Sequence, residues 1–193
     1  PRCVHVLADA GDRAVVGLCR KEPGAVRRLA QPVRRDVARQ DSPEAEAVGV
    51  SRDYVIFDTD DQRQLVKRAL EELNLDDKRY RPRSMHAAIS HAKSELVPPQ
   101  AYAAQSYYGE IVKRVYERYQ ELLAENNGLD FDDLLMVTAM MFEERADVLA
   151  KYREQYRHIL VDEFQDTNQA QYALLRQLSG EHHNLFCVAD EDQ

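Results

Sequence analysis

The stretch ILVDEFQDTN, residues 159–168, drives a short apolar run straight into acids: Asp162 and Glu163 follow Val161, and Gln165 and Asp166 come just after. A second apolar run, LFCV (185–188), ends in a similar way, with Asp190, Asp192 and Gln193 behind it. Hard carboxylate oxygens gathered at one rim suit Mg²⁺, which keeps several of its waters and is commonly shared with substrate phosphates. One carboxylate can hold the metal while its neighbour positions or deprotonates an attacking water. A bare Asp-Glu pair after a strand is more often a solvated turn or a helix N-terminus, where the helix dipole favours acids. The longer string of apolar run, acids, helix, apolar run and acids again is far more specific than the pair.

To bring both acid groups to one rim the chain must run strand, helix, strand. HILV (158–161) and LFCV are short, apolar and partly β-branched, as buried parallel strands are. Between them Asp166 or Thr167 can cap a helix that buries Ala170, Leu174, Leu175 and Leu178. Such a βαβ unit has a right-handed crossover, and in open α/β sheets functional side chains collect at the carboxyl ends of the strands.

Upstream the period is helical. YVIF (54–57) reads as a short strand, and TDDQ (59–62) as a capping box with Thr59 at the N-cap, ahead of a helix burying Leu65, Val66, Ala69, Leu70 and Leu73. Ser84 is expected to cap a second helix with Met85, Ala88, Ile89 and Ala92 on one side. A third carries Tyr108, Ile111, Val112, Val115, Tyr119, Leu122 and Leu123 on one stripe and stops at NNG (126–128). LDFDDLL (129–135) opens a fourth, with Leu134, Leu135, Thr138, Met141 and Phe142 inward; Asp130, Asp132 and Asp133 read almost as well as an acid-rich helix N-terminus.

With 193 residues, 44% of them hydrophobic and 31% charged, the chain has the composition of an ordinary soluble domain. No apolar run approaches the roughly 18 residues of a membrane helix, and no secretory signal pattern is present, so no membrane partner and a cytoplasmic location are expected. Cys3, Cys19 and Cys187 are too far apart for a zinc pair and read as free thiols. A net charge of −8 excludes a small, wholly basic nucleic-acid binder but not an enzyme that touches DNA through one local patch.

That patch has a candidate. Lys78, Arg79, Arg81 and Arg83 crowd one turn around Tyr80, a pattern suited to sequence-independent phosphate contact; the alternative is a solvated loop that offsets Glu71, Glu72, Asp76 and Asp77. Tyr107, Tyr108, Tyr116 and Tyr119 have helical spacing and are expected in the core rather than as base-stacking platforms. His182 and His183 read as surface.

On these residues rests a resemblance. ILVDEFQDTNQAQYALL resembles the Walker B segment, motif II, of the UvrD/Rep/PcrA-type superfamily 1 DNA helicases, and VADEDQ resembles the start of their motif III. GLDFDDLL and FDTDDQRQLVKRALEELNLDDKRYRPRS are similar to further stretches of that family, and the likeness runs over residues 44–193. It implies an α/β fold, a partial RecA-like P-loop NTPase core with parallel strands plus an inserted helical subdomain. It implies ATP and Mg²⁺ as cofactors, with Asp162 as metal ligand, Glu163 activating water, Gln193 sensing the γ-phosphate, and Gln165 and Asp166 in supporting roles. Single-stranded DNA and single-strand/duplex junctions, with repair or replication proteins, are the implied partners, and translocation 3′ to 5′ the implied direction.

Residues 44–128 are then expected to form the helical accessory subdomain and residues 129–193 the second part of the first motor domain. Residues 1–43 show no sustained period and are read as an atypical segment rather than native helicase sequence. No glycine in the chain is followed by lysine, so the phosphate-cradling loop G-x-x-x-x-G-K-[ST] is not among its residues. The chain alone is therefore expected to be inactive, as an internal piece of a motor. Two other classes stay open: a non-catalytic DNA- or protein-binding module, and a metal-dependent nuclease that uses the same acids.

Overall fold

The computed structural model of the chain describes residues 15–18 and 54–189. Asp190, Asp192 and Gln193, together with Cys3 and Cys19, lie outside the described residues. The chain divides into two compact units, one of residues 53–133 and one formed by residues 1–52 with 134–193. The division falls inside a helix, five residues beyond the expected boundary at 128/129.

Three helices make the core of the unit spanning residues 53–133: α1 (Thr59–Glu72), α2 (Pro82–Ser94) and α3 (Tyr107–Glu125). Their apolar stripes meet, burying Leu65, Val66, Leu70, Met85, Ile89, Ile111, Val115 and Leu122, as the spacing predicts. A two-residue parallel pair closes one end, β2 (Val55–Ile56) against β3 (Gly128–Leu129). A Cβ on Gly128 would meet the Phe57 ring at 2.4 Å, so only glycine lets the two strands approach.

The other unit carries a three-stranded sheet in the order β1 (Val15–Leu18), β4 (His158–Val161), β5 (Leu185–Cys187), with both pairings parallel. α4 (Phe131–Glu144) leads from β3 into α5 (Ala146–Gln155), and α6 (Gln169–Ser179) connects β4 to β5. Ile159 and Val161 of β4 are buried, as are Ala170, Leu174, Leu175 and Leu178 of α6. The architecture is α/β, mostly helical with short parallel strands. None of the described helices is long and apolar enough to cross a membrane.

Several sequence expectations need correction. β1 lies within the stretch that shows no strand period, and it pairs Val15 with His158 through to Leu18 with Val161. β5 is not buried: Leu185 and Phe186 (63% exposed), and Val188 just past the strand, are exposed among the described residues. Helix α1 is capped by Asp58, one residue before Thr59. The Asp58 carboxylate accepts the N–H groups of Asp60 and Asp61, and the Asp61 carboxylate accepts the Asp58 N–H in return. Helix α2 starts at Pro82, whose fixed φ suits the first helical position, so Ser84 already lies inside the helix. Helix α6 is capped by Asn168, because Asp166 ends a 3-10 turn (Phe164–Asp166) and Thr167 is extended.

Asn168 and Gln171 form a reciprocal capping box at 2.9 and 3.1 Å. Replacing Asn168→Ala should cost about 1 kcal/mol of stability, read from urea unfolding; Asn168→Asp should restore most of it.

Candidate functional site

β4 ends at the buried Val161, and the chain turns at once. The N–H of Val188, just past β5, donates to the Val161 carbonyl at 2.7 Å, and the N–H of Phe164 donates to the Val188 carbonyl at 3.0 Å. Asp162 and Glu163 are thus pinned between two backbone bonds to one neighbouring residue. The turn places Glu163 at φ 55°, ψ 44°, left-handed space that a non-glycine residue rarely occupies and that persists where its surroundings hold it.

Within the turn, one Asp162 oxygen accepts the Glu163 N–H at 3.1 Å, and the other makes no protein hydrogen bond among the described residues. The Gln165 side-chain amide donates to the Glu163 carboxylate at 2.7 Å, and the Asp166 N–H donates to the Glu163 carbonyl at 2.9 Å. Asp162, Glu163 and Gln165 are therefore brought together, while Asp166 serves the turn through its backbone.

No group of three or more His, Cys, Asp or Glu side chains with metal-holding geometry occurs among the described residues. A protein cage of the Ca²⁺ or structural Zn²⁺ kind has no support there. One carboxylate with a free oxygen does fit Mg²⁺, whose shell is completed by waters and substrate phosphates.

Lys78, Arg79, Arg81 and Arg83 are all exposed, and none pairs with a carboxylate among the described residues. The nearby acids have other partners: Glu71 pairs with Lys67 at 3.7 Å, and Glu72 with Arg68 at 2.8 Å and Arg118 at 2.6 Å. The Asp76 carboxylate accepts the Lys78 backbone N–H. The four cations thus make no direct ion pair among the described residues, while Asp76 and the adjacent Asp77 still place negative charge beside Lys78. The tyrosines divide. Tyr116 and Tyr119 are buried as expected, whereas Tyr107 (69% exposed) and Tyr108 (45%) are not, because the buried stripe of α3 begins only at Ile111.

Sequence reasoning missed a buried ionic cluster. The Lys93 ammonium, wholly buried on α2, lies 2.5 Å from Asp130 and 2.8 Å from Asp133, which are themselves buried. The N–H of Asp133 donates to the Asp130 carboxylate at 2.7 Å, the N–H of Asp130 to the Asp133 carboxylate at 3.2 Å, and the Tyr119 hydroxyl to Asp130 at 2.8 Å. A signal existed: Lys93 shares its helix face with Met85, Ile89 and Ala92, where a lysine needs a charged partner.

Burial works against the Lys93 charge, but the two carboxylates outweigh it and hold the ammonium more firmly protonated than usual. Burial likewise opposes ionisation of Asp130, and the Lys93 ammonium overcomes it, lowering that carboxyl. Asp133 goes the other way: burial first, then the Asp130 charge, push it up to about 7 despite Lys93. One cation cannot fully compensate two buried acids, so the second keeps its proton more easily.

A parallel α/β sheet that presents an acidic turn at the carboxyl end of a central strand defines the general class. The family described as the UvrD/REP helicase N-terminal domain matches residues 30–193, and the chain belongs to that family. The match includes residues 30–43 of the stretch read as atypical. The chain is 43% identical over 163 residues to the ATP-dependent DNA helicase PcrA of Bacillus subtilis, covering 83% of this chain and 21% of that protein. It is 42% identical over 152 residues to the PcrA of Leuconostoc citreum (78% and 20%) and 41% identical to that of Staphylococcus aureus strain Mu50 (78% and 21%). The chain thus spans about a fifth of the length of the curated relatives it matches.

Lys93→Met should destabilise the chain by about 3–5 kcal/mol in urea unfolding, because two buried carboxylates lose their cation. Adding Asp130→Asn and Asp133→Asn should recover part of that loss. The Asp133 carboxyl is raised on folding from 3.8 to about 7, so the folded chain binds this proton more tightly than the unfolded chain. Its contribution is fully present below about pH 4 and is lost as pH rises to about 7. Stability of Asp133→Asn should therefore fall less between pH 5 and pH 7.5 than that of the parent, measured by urea midpoints at the two values.

Proposed function

We infer that the chain is part of the first motor domain, RecA-like in fold, of an ATP-dependent DNA helicase, with Asp162 and Glu163 at its hydrolytic centre. The observation that carries this reading is the pinned, left-handed turn that sets the two carboxylates at the carboxyl end of β4. The family and the names of the PcrA relatives support it.

Asp162, with one oxygen free of protein hydrogen bonds among the described residues, would hold Mg²⁺. The metal, when bound, neutralises charge developing on the nucleotide phosphates. Glu163 positions and deprotonates the attacking water, and the amide of Gln165 keeps its carboxylate oriented. Gln193, outside the described residues, senses the γ-phosphate. The cations Lys78, Arg79, Arg81 and Arg83 contact DNA phosphates, single-stranded or at a junction with duplex. Translocation runs 3′ to 5′, and the setting is cytoplasmic repair or replication. The 193 residues alone are silent as an ATPase, since no glycine-lysine phosphate cradle is among them.

The test is DNA-stimulated ATP hydrolysis by a full-length helicase carrying this segment. Glu163→Gln should lower kcat at least about 100-fold, as loss of a general base does, with nucleotide binding retained, and the 193-residue chain should show no turnover. Undiminished hydrolysis by Glu163→Gln would overturn the assignment. DNA cleavage with Mg²⁺ but without ATP would move the acids to nuclease chemistry.

A further inference from the structure

The first turn of α3 breaks the rule that governs the rest of that helix. From Ile111 onward its large apolar side chains are buried, yet Tyr107 and Tyr108, one turn earlier, are exposed. Ser106 caps the helix there, accepting the Gly109 N–H at 3.0 Å, so both rings sit on a fixed backbone rather than on a loose loop.

Tyr80, from the basic turn, joins them. Its ring is buried, with its centroid 6.4 Å from that of Tyr108 and the two planes 36° apart. The Arg79 guanidinium lies 5.4 Å from the Tyr80 ring centroid. Tyr80 therefore packs the basic turn against the start of α3, so two exposed aromatic rings lie beside a turn whose four cations have no carboxylate partner among the described residues.

The chemistry of that surface narrows its occupant. A chain with net charge −8 carries here four exposed cations without carboxylate partners among the described residues, a surface that suits a polyanion. Exposed tyrosine rings beside them offer faces for planar groups, and stacking on aromatic rings tolerates any base. A duplex keeps its base faces stacked on one another, so phosphates and free base faces together describe a single strand.

We propose that Tyr107 and Tyr108 form a stacking platform for unpaired bases of single-stranded DNA whose phosphates lie along Lys78, Arg79, Arg81 and Arg83. The choice of DNA over RNA rests on the helicase reading; the platform itself rests on the exposed rings and the exposed cations beside them.

The experiment is fluorescence anisotropy of the whole 193-residue chain with labelled oligothymidylate of about 20 nucleotides, longer than common single-strand sites. An abasic strand of equal length and a blunt duplex are measured beside it, at several salt concentrations and without nucleotide. Tyr107→Ala with Tyr108→Ala should weaken oligothymidylate binding about 10-fold or more, leave the abasic strand unaffected and leave the salt slope unchanged. Tyr107→Phe with Tyr108→Phe should bind as the parent does. Arg79→Gln with Arg81→Gln should weaken both strands and flatten the salt dependence. The rings are at the surface, so circular dichroism and thermal midpoints should match across the set.

Equal losses on the abasic strand and oligothymidylate, no loss on either, preference for the duplex, or no binding of single strands by the parent would each overturn the proposal. Neither nucleotide nor the Asp162–Glu163 turn takes part in this assay. Its failure would thus leave the hydrolysis test standing, and failure of Glu163→Gln to affect hydrolysis would leave these affinities in place.

Discussion

The acidic turn depends on one residue of the neighbouring strand's end. Val188 donates to the last carbonyl of β4 and accepts from the N–H of Phe164, bracketing Asp162 and Glu163 with 2.7 and 3.0 Å bonds. Parallel pairing of β4 with β5 is what brings Val188 there, and α6 is the crossover that makes the pairing parallel. The Asn168–Gln171 box starts that crossover two residues after the 3-10 turn ends, so the acids stand between a strand end and a capped helix. Side-chain chemistry at this rim is a consequence of backbone bonding.

In the helical unit the corresponding organiser is electrostatic. Lys93 joins α2 to the start of α4 through Asp130 and Asp133, and Tyr119 brings α3 to the same point. Both acids also hold each other's backbone N–H, so the helix start and the ion cluster form together. A buried cluster of this kind contributes less to net stability than an apolar replacement could, but losing one member is expensive. Its effect is therefore geometric, fixing where α4 begins.

What could be read from the sequence followed from how many residues competed for each role. β4 was legible to the residue, because HILV is short, apolar and flanked by polar residues. The core faces of α1 and α3 were legible from period alone. Caps were misread by one or two positions where adjacent residues can all cap, Asp58 beside Thr59 and Asn168 beside Thr167, since backbone geometry decides among them. Periodicity does not mark where burial stops, so the exposure of Tyr107 and Tyr108 was missed. Lysine is exposed by default, which hid Lys93. β1 has four residues, one of them glycine, too few to show a period. At the candidate site Asp162, Glu163 and Gln165 stand out by their string and are brought into one turn, but the left-handed backbone of Glu163 has no signature in side-chain type.

That backbone has a consequence of its own. Left-handed space costs an ordinary L-residue about 1–2 kcal/mol and costs glycine almost nothing. Position 163 thus carries a side chain that its main chain disfavours. Under the role proposed for Glu163, folding and chemistry select different residues at this one point, and a glycine there would relax the turn while removing the carboxylate. A screen for thermal resistance alone would drift toward losing that carboxylate.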